Sequence, residues 1–186
     1  MPNFFGKTLT RDETLQRMGR LSQVAGVELL TYGDGVERGV RCLEFRTGTG
    51  FLFKVLLDRC LDVGHCEYRG MPLSWHSPTG FAGPWYFNAA EEGGLGGFMR
   101  GFTGMFMTCG FDHILFMAED DASWAHYPPR RSAHYPLHGV AHHLPARLTA
   151  YGHRWEGDRC VLFAEGEVTQ AQVFGEHLKQ IGRAHV

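Results

Sequence analysis

Four short apolar runs between residues 26 and 70 constrain the fold of this chain more than any other feature of its sequence. The runs GVELLTY, RGVRCLEFRT, FLFKVLLDR and LDVGHCEYRG are rich in β-branched or aromatic residues and are broken by GDG, GTG and RGMP. This pattern is typical of β-strands joined by tight turns. In the second run, alternate side chains lie on opposite faces of a strand, so Cys42 and Glu44 share one face and Leu43 and Phe45 share the other. Successive hairpins of this kind predict an antiparallel sheet.

The rest of the chain adds one helix, an irregular middle and a second group of strands. Thr10 followed by Glu13 forms a capping-box pattern in TRDETLQRMG, which predicts a short N-terminal helix that stops at Gly19. The glycine-rich and aromatic segment 83–111 has no clear period, so we expect irregular or partly helical structure packed on a sheet. Residues 120–139 have the composition of a polar loop with a Pro-Pro turn. Strands resume in ARLTAYGHRW and RCVLFAEGEV around an EGD turn, so the predicted fold class is mainly β, in one domain.

Composition argues against several classes of function. The 186 residues are 44% hydrophobic and 20% charged, which suits a globular domain. The net charge of −2, without a basic stripe, gives no electrostatic reason to bind nucleic acid or an anionic membrane. No apolar run approaches the ~18 residues that a membrane span needs. The N-terminus lacks a secretion-signal pattern and the five cysteines form no CxxC pair, so we expect a cytoplasmic protein.

Arg59, Asp62 and Trp75 form a first group of candidate substrate-binding residues. Arg59 and Asp62 follow an apolar run and are three residues apart, so a bulge or turn is needed before their side chains can meet. A guanidinium and a carboxylate together can grip vicinal hydroxyls. The ring of Trp75 can stack on the C–H face of a sugar. Spacing alone leaves open the alternative of a structural ion pair with a core or edge tryptophan.

The histidine-rich stretch YPLHGVAHHLPARL supplies a second candidate. His138 and His142 have the spacing of a zinc-binding HExxH helix, but a glycine follows His138 and prolines bracket the stretch, so a helix is not expected. We expect His138 to face a ligand, because the glycine allows close approach and an imidazole donates or accepts near neutral pH. We expect His142 and His143 to belong to a solvated loop. A looser metal site stays open as an alternative, with these histidines as ligands: His113, His126, His134 and His153.

The order of several short motifs resembles that of galactose mutarotases, the aldose 1-epimerases. The pieces DRCLDVG, PLSWHSP, TCGF and LHG are similar to an uncharacterised bacterial family of aldose-1-epimerase-like proteins, from about Gly35 to Glu176. The resemblance implies the galactose-mutarotase β-supersandwich, with antiparallel sheets stacked around a sugar cleft. It also implies that a glutamate takes the proton of the anomeric hydroxyl while a histidine protonates the ring oxygen. His138 matches the Leu-His-Gly histidine that lines the sugar site, and it is the candidate catalytic and substrate-binding residue.

The match departs from the family in two respects. A mutarotase's binding arginine precedes Leu-His-Gly in a Gly-Arg motif that is missing here, so Arg59 is a substitute prediction. The family's principal acid and base come later in its sequence and have no match in this chain. The last six residues, IGRAHV, correspond to one reading frame of a widely used sequencing adapter. We therefore expect residues 1–180 to be an incomplete sugar-binding domain and residues 181–186 a non-native tail, which a genomic stop codon directly after IGRAHV would contradict.

The function expected from the sequence is that of an aldose 1-epimerase-like isomerase of sugar metabolism, catalytically silent and marginally stable as a fragment. One alternative is a non-catalytic carbohydrate-binding protein of the same fold. Another is a metal-dependent sugar isomerase that uses the histidine-rich loop. The expected partner is a small-molecule sugar without a cofactor, and open strand edges favour self-association into a homo-oligomer.

Overall fold

The computed structural model of this chain is mainly β, and it describes residues 3–4, 6–124, 129–173, 175 and 177–186. Twelve strands are found in this part of the chain, together with three short α-helices. Several one-turn 3₁₀ segments connect them. The elements are β1 (Asn3–Phe4), β2 (Lys7–Thr8), α1 (Arg11–Arg17), β3 (Gly26–Thr31), β4 (Arg41–Arg46), β5 (Phe51–Leu56), β6 (Asp62–Tyr68), β7 (Met71–Pro72), α2 (Glu91–Gly94), α3 (Gly96–Gly101), β8 (Ala118–Asp121), β9 (Ser132–Tyr135), β10 (Ala146–Glu156), β11 (Arg159–Ala171) and β12 (His177–His185).

The N-terminal helix α1 begins with the capping box that the sequence predicts. The Glu13 N–H donates to the Thr10 hydroxyl, and the Thr10 N–H donates to the Glu13 carboxylate at 2.9 Å. These bonds satisfy backbone donors that the first turn of a helix leaves free. The prediction of the helix and its cap is confirmed, although α1 ends at Arg17 rather than at Gly19.

A five-stranded antiparallel sheet contains β3 to β7 in sequence order. Phe45 on β4 lies opposite Phe53 on β5, and their rings stack with centroids 4.5 Å apart. Leu43 and Phe45 belong to one buried cluster and Cys42 to another, so the predicted alternation along β4 is confirmed. Because both faces of β4 are covered, the alternation separates two apolar cores rather than a core from solvent.

A three-stranded antiparallel sheet follows the order β10, β11, β12. The predicted hairpin between β10 and β11 is confirmed, with Glu156 paired to Arg159 beside the turn. Strand β12 pairs along β11, and Ile181 lies opposite Glu167. Residues 181–185, which the sequence predicts to be a tail, therefore lie in β12, and their origin stays a prediction.

The two sheets pack face to face through one apolar core. Phe53 and Val55 from the five-stranded sheet are buried in the same cluster as Leu162 and Ala164 from β11. Burying a side chain the size of leucine or phenylalanine stabilises a fold by about 1.5–3 kcal/mol. The stacked antiparallel sheets confirm the predicted fold class.

The segment between the two sheets is largely irregular, as predicted for its first part. α2 is a distorted turn with positive φ at Glu92 and Gly93, and α3 carries three buried glycines, Gly96, Gly97 and Gly101. The prediction of a polar loop at residues 120–139 is wrong in part, because β8 and β9 pair there from Ala118 to Tyr135. Pro128 of the predicted Pro-Pro turn lies outside the described residues. No helix in the described part of the chain is long and apolar enough to cross a membrane.

Candidate functional site

A tight turn between β5 and β6 brings Arg59 and Asp62 together. A 3₁₀ segment ends at Arg59, and the next two residues, Cys60 and Leu61, have positive φ values of 52° and 64°. Two successive left-handed residues are uncommon outside glycine. They reverse the chain before β6 starts, so the arginine and aspartate meet on one side. The turn that the sequence argument requires is confirmed.

Arg59 and Asp62 form a completely buried ion pair whose hydrogen bonding is incomplete. Arg59 Nε lies 3.3 Å from Asp62 Oδ2, and both side chains are fully buried. The Thr108 N–H donates to Asp62 Oδ1 at 2.6 Å, and Arg59 Nη2 donates to the Gly101 carbonyl of α3. Among the described residues, Arg59 Nε and Nη1 and Asp62 Oδ2 have no well-aligned hydrogen-bond partner. Buried polar atoms are nearly always satisfied in folded proteins, so this pair retains capacity to bind water or ligand oxygens.

Burial shifts the pKa of both members of the pair. Loss of solvation raises the pKa of Asp62 to about 7, against the opposing effects of the Arg59 charge and the Thr108 N–H. Burial also lowers the pKa of the Arg59 guanidinium, although Asp62 acts in the other direction. A carboxyl group with a pKa near neutrality can give or take a proton at working pH, which is a property of general acids and bases.

Two further histidines, which the sequence argument assigned to a solvated loop, join this pair in the interior. His142 is completely buried in a 3₁₀ turn, and the structure therefore corrects that expectation. Both ring nitrogens of His142 and the Nε2 of His143 lack hydrogen-bond partners in the described residues. Burial, aided by the Arg59 charge, lowers the pKa of His142 to about 3 and that of His143 to about 4. We call Arg59, Asp62, His142 and His143 the arginine–histidine cluster.

The glycines of α3 allow the helix to close over this cluster. A Cβ at Gly97 would lie 2.5 Å from His143 Nε2 and 2.6 Å from His142 Nε2. A Cβ at Gly101 would lie 3.1 Å from the Phe87 ring. A side chain cannot occupy position 97 without shifts in its neighbours, so glycine at this position allows the close approach of backbone to the two imidazoles. The sequence alone did not predict these contacts between α3 and the histidines.

His138 lies beside the cluster, and its imidazole is held by backbone groups. The His138 N–H donates to the Leu115 carbonyl at 2.9 Å, and the Leu115 N–H donates to His138 Nδ1 at 3.3 Å. Since Nδ1 accepts a hydrogen bond, the neutral ring carries its proton on Nε2. His138 has a positive φ of 61°, which places its half-buried side chain in an orientation that an ordinary strand would not give.

An aromatic row, formed by Trp75, Phe102 and Phe98, leads to His138. The ring centroids of Trp75 and Phe102 are 5.7 Å apart, those of Phe102 and Phe98 are 4.6 Å apart, and Phe98 is 6.2 Å from the His138 ring. Trp75 is 58% exposed, so it belongs to the surface rather than to the core. Phe102, the middle residue of the row, directly follows Gly101, whose carbonyl accepts a hydrogen bond from Arg59. The structure therefore places all four predicted site residues in one region, with Trp75 and His138 at the surface and Arg59 and Asp62 beneath it.

A cavity of about 220 Å³ lies between the two sheets instead of at His138. Its lining is mainly apolar and includes none of the four predicted site residues. This cavity is therefore not the predicted pyranose-sized cleft lined by His138, Arg59 and Trp75. Four polar or charged residues also line the cavity: Thr108, Glu165, Gln180 and Arg183.

Three histidines of the alternative metal site, His113, His134 and His153, lie in the described part of the chain and contact different neighbours. His113 stacks on Tyr135, His134 approaches Glu119, and His153 lies on β10. His126 is outside the described residues. Within the described ranges, no group of three or more His, Cys, Asp or Glu side chains is arranged to hold a metal ion.

Comparisons with known proteins agree with this architecture. The family profile "Domain of unknown function (DUF4432)" matches residues 37–184, most of the chain. A crystal structure from Klebsiella pneumoniae subsp. pneumoniae MGH 78578, of a protein to which aldose 1-epimerase activity is attributed, superposes with a TM-score of 0.70 at 21% identity. The match covers 86% of this chain and 39% of that chain, so the present chain spans about two fifths of that protein. A search of curated proteins found no match. The fold is therefore galactose-mutarotase-like.

Proposed function

We propose that this protein, which belongs to the DUF4432 family, binds a free aldose or related sugar and acts on it as an aldose 1-epimerase-like isomerase. The mutarotase-like fold supports the proposal, and so does the grouping of His138, Trp75, Arg59 and Asp62 in one region. Fold alone does not determine function, so the proposal depends on what these residues can do chemically.

The fixed tautomer of His138 is the observation that carries the proposal. Because Leu115 donates to Nδ1, the neutral ring presents an Nε2–H that has no partner among the described residues. Such a donor can bind a sugar oxygen and stabilise, through its hydrogen bond, the negative charge that develops there. An isomerase at the anomeric carbon needs stabilisation of this kind at a sugar oxygen, and His138 fits that role.

The aromatic row gives the sugar a place to lie next to this donor. Trp75 is largely exposed and can stack on the apolar face of a pyranose, while its indole N–H donates. Phe102 and Phe98 continue the apolar surface towards His138. A sugar on this surface would keep one face on carbon and turn its hydroxyls towards the imidazole.

Arg59 and Asp62 act in this proposal from below the surface. Their side chains are fully buried, and Arg59 is bound to the Gly101 carbonyl of α3. A sugar hydroxyl would reach Arg59 Nη1 or Asp62 Oδ2, which lack hydrogen-bond partners among the described residues, when α3 moves away from the cluster. The guanidinium and the carboxylate would then bind sugar hydroxyls as donor and acceptor.

Two solution measurements test the proposal on this chain and on the complete gene product of its locus. Saturation-transfer NMR against a panel of monosaccharides tests binding, and polarimetry of fresh α-anomers tests catalysis. We expect binding to weaken in His138→Asn and any catalysed anomerisation to fall by ~10²–10³-fold, the usual contribution of one hydrogen-bond donor to developing negative charge. Asparagine tolerates the positive φ at this position, so the backbone should be retained.

The matched control is His153→Asn, which removes an exposed histidine from β10 and should change neither readout. Saturation transfer without accelerated anomerisation in the complete protein would favour the non-catalytic carbohydrate-binding alternative. Absence of binding to every sugar, or full activity in His138→Asn, would overturn the proposal.

A further inference from the structure

Two histidines on the other side of β6 have their ring nitrogens in close contact. His65 lies on β6, and His76 lies in the segment that follows β7. His65 Nδ1 and His76 Nε2 are 3.4 Å apart. We call these two residues the histidine pair. Neither belongs to the arginine–histidine cluster or to the histidine-rich loop.

Neighbouring groups hold both rings of the histidine pair in place. The Nε2 of His65 is 2.9 Å from the Glu67 carboxylate on the same face of β6. The His76 ring meets the Phe81 ring edge-on, with centroids 5.2 Å apart. The Ser74 hydroxyl lies 3.0 Å from His76 Nε2 and is itself bound to the Cys66 backbone. The two nitrogens are therefore preorganised rather than brought together by chance side-chain rotation.

The hydrogen bonds determine where the protons lie when both rings are neutral. A carboxylate only accepts, so His65 carries its proton on Nε2 and donates to Glu67. His65 Nδ1 then presents a lone pair to His76 Nε2, which also lies 3.0 Å from the Ser74 hydroxyl. If His76 moves its proton to Nδ1, both facing nitrogens present lone pairs to the space between them, without any net loss of protons from the protein.

We propose that the histidine pair is a binding site for a divalent transition-metal ion. Two imidazole nitrogens bound at about 2.1 Å in a tetrahedral arrangement lie roughly 3.4 Å apart. The pair shows that separation. A histidine ligand typically donates its other ring N–H to a carboxylate, and Glu67 occupies that position behind His65.

The site supplies two protein ligands and leaves the remaining positions to water. No third His, Cys, Asp or Glu among the described residues completes it. The side chain of His65 is 25% exposed and His76 is exposed, so an ion reaches the pair from solvent. Imidazole ligands select Cu²⁺, Ni²⁺ and Zn²⁺ over Mg²⁺ and Ca²⁺, which prefer oxygen. This site is independent of the proposed sugar chemistry.

Calorimetric titration of the untagged chain with zinc chloride and copper chloride tests the proposal. We expect saturable binding with one ion per chain, tighter for Cu²⁺ than for Zn²⁺, and no binding of magnesium chloride. The variants His65→Ala and His76→Ala should each abolish that binding step. His134→Ala is the matched control, because His134 is also near a carboxylate, Glu119 at 3.7 Å, but is exposed and has no such histidine partner.

Glu67→Ala and an experiment on the unaltered protein separate the site from adventitious binding. Loss of the carboxylate behind His65 should weaken affinity about 10- to 100-fold without abolishing it. Pulsed electron paramagnetic resonance of the Cu²⁺-loaded wild-type chain should detect two coordinated imidazoles, and it needs no variant that folds. Unchanged binding in His65→Ala/His76→Ala, or a spectrum with one imidazole or none at the tightest site, would overturn the proposal.

Discussion

Two Arg–Asp pairs use adjacent residues of the same 3₁₀ turn, yet they differ in nearly every physical respect. Asp58 accepts from the Arg41 backbone N–H at 2.8 Å and from the Arg41 Nε at 3.1 Å, and Arg41 Nη2 binds it as well. Arg41 also donates to the Ala146 carbonyl at 3.1 Å. The side chains are 40% and 7% exposed, so this pair lies at the rim of the fold. Its carboxylate is well satisfied, and it ties β4 to β10.

The pair formed by Arg59 and Asp62 is fully buried, and only some of its polar atoms form hydrogen bonds. Its one direct contact is 3.3 Å long, and three of its polar atoms have no aligned partner in the described residues. Burial of a charge pair costs more free energy than the attraction returns unless the remaining atoms are bonded. The rim pair therefore has the geometry of a structural contact, whereas the buried pair leaves two donors and one acceptor without hydrogen bonds to the described residues.

The largest expected effect comes from removing the buried carboxylate. Asp62→Ala leaves the Arg59 guanidinium uncompensated in the interior, which typically costs about 3–5 kcal/mol. We expect that decrease in the free energy of unfolding, measured by urea denaturation with circular dichroism. A loss no larger than that of Asp58→Ala would show that the two pairs do not differ as described.

The pH dependence of stability gives the next largest effect. His142 and His143 have folded-state pKa values of about 3 and 4, below the ordinary 6.5, so the unfolded state binds more protons and stability increases as pH rises from about 4 to 6.5. Asp62 acts in the opposite direction, because its pKa is raised to about 7 in the folded state. Its own contribution to stability therefore decreases from about pH 4 to 7. Each group contributes up to about 1.4 kcal/mol per pH unit. Two histidines outweigh one aspartate, so we expect a net increase to about pH 6.5.

His142→Gln sharpens this prediction because it removes one titrating group and keeps a polar side chain. Urea denaturation at several pH values should show that the increase in the free energy of unfolding between pH 4 and 6.5 is smaller than in the wild type. His134→Gln, at an exposed position on β9, should leave the pH profile as it is. If His142→Gln has the wild-type profile, the imidazole is not held neutral by burial.

The smallest expected effect is at the rim pair. Asp58→Ala removes several hydrogen bonds to Arg41, but water replaces part of them because the guanidinium is 40% exposed. We expect a loss of about 1–2 kcal/mol in the free energy of unfolding. The difference from wild type should shrink in 1 M salt, since exposed charges are screened. A salt-independent loss would place this pair in the same class as the buried one.

Features that depend on local sequence were predictable in this chain. The positions of β3 to β6 follow from short runs rich in β-branched or aromatic residues between glycine-containing breaks, and β4 also shows a period of two. Residues i and i+3 of a strand face opposite sides, so a contact between Arg59 and Asp62 requires a turn or bulge between them. The capping box at Thr10 follows from two side chains alone.

Features that depend on contacts between distant segments were not predictable. His142 is buried because Gly97 of α3 approaches it closely, and nothing in AHHLPA signals this approach. The strands β8 and β9 contain AEDD and SAHY, which have low strand propensity, so their pairing depends on tertiary context. The contact between His65 and His76 likewise depends on the turn between β6 and β7, which brings the two residues to the same side of the sheet edge.

The two hydrogen bonds between His138 and Leu115 make this imidazole a reporter of loop position. Its Nδ1 resonance should show the chemical shift of an unprotonated nitrogen that accepts a bond, with the proton signal on the other nitrogen. If residues 113–117 were to swing outward, the ring would lose its backbone donor and exchange between tautomers. One side-chain spectrum would therefore register the motion of a segment more than twenty positions earlier in the chain, and it would do so before any sugar is added.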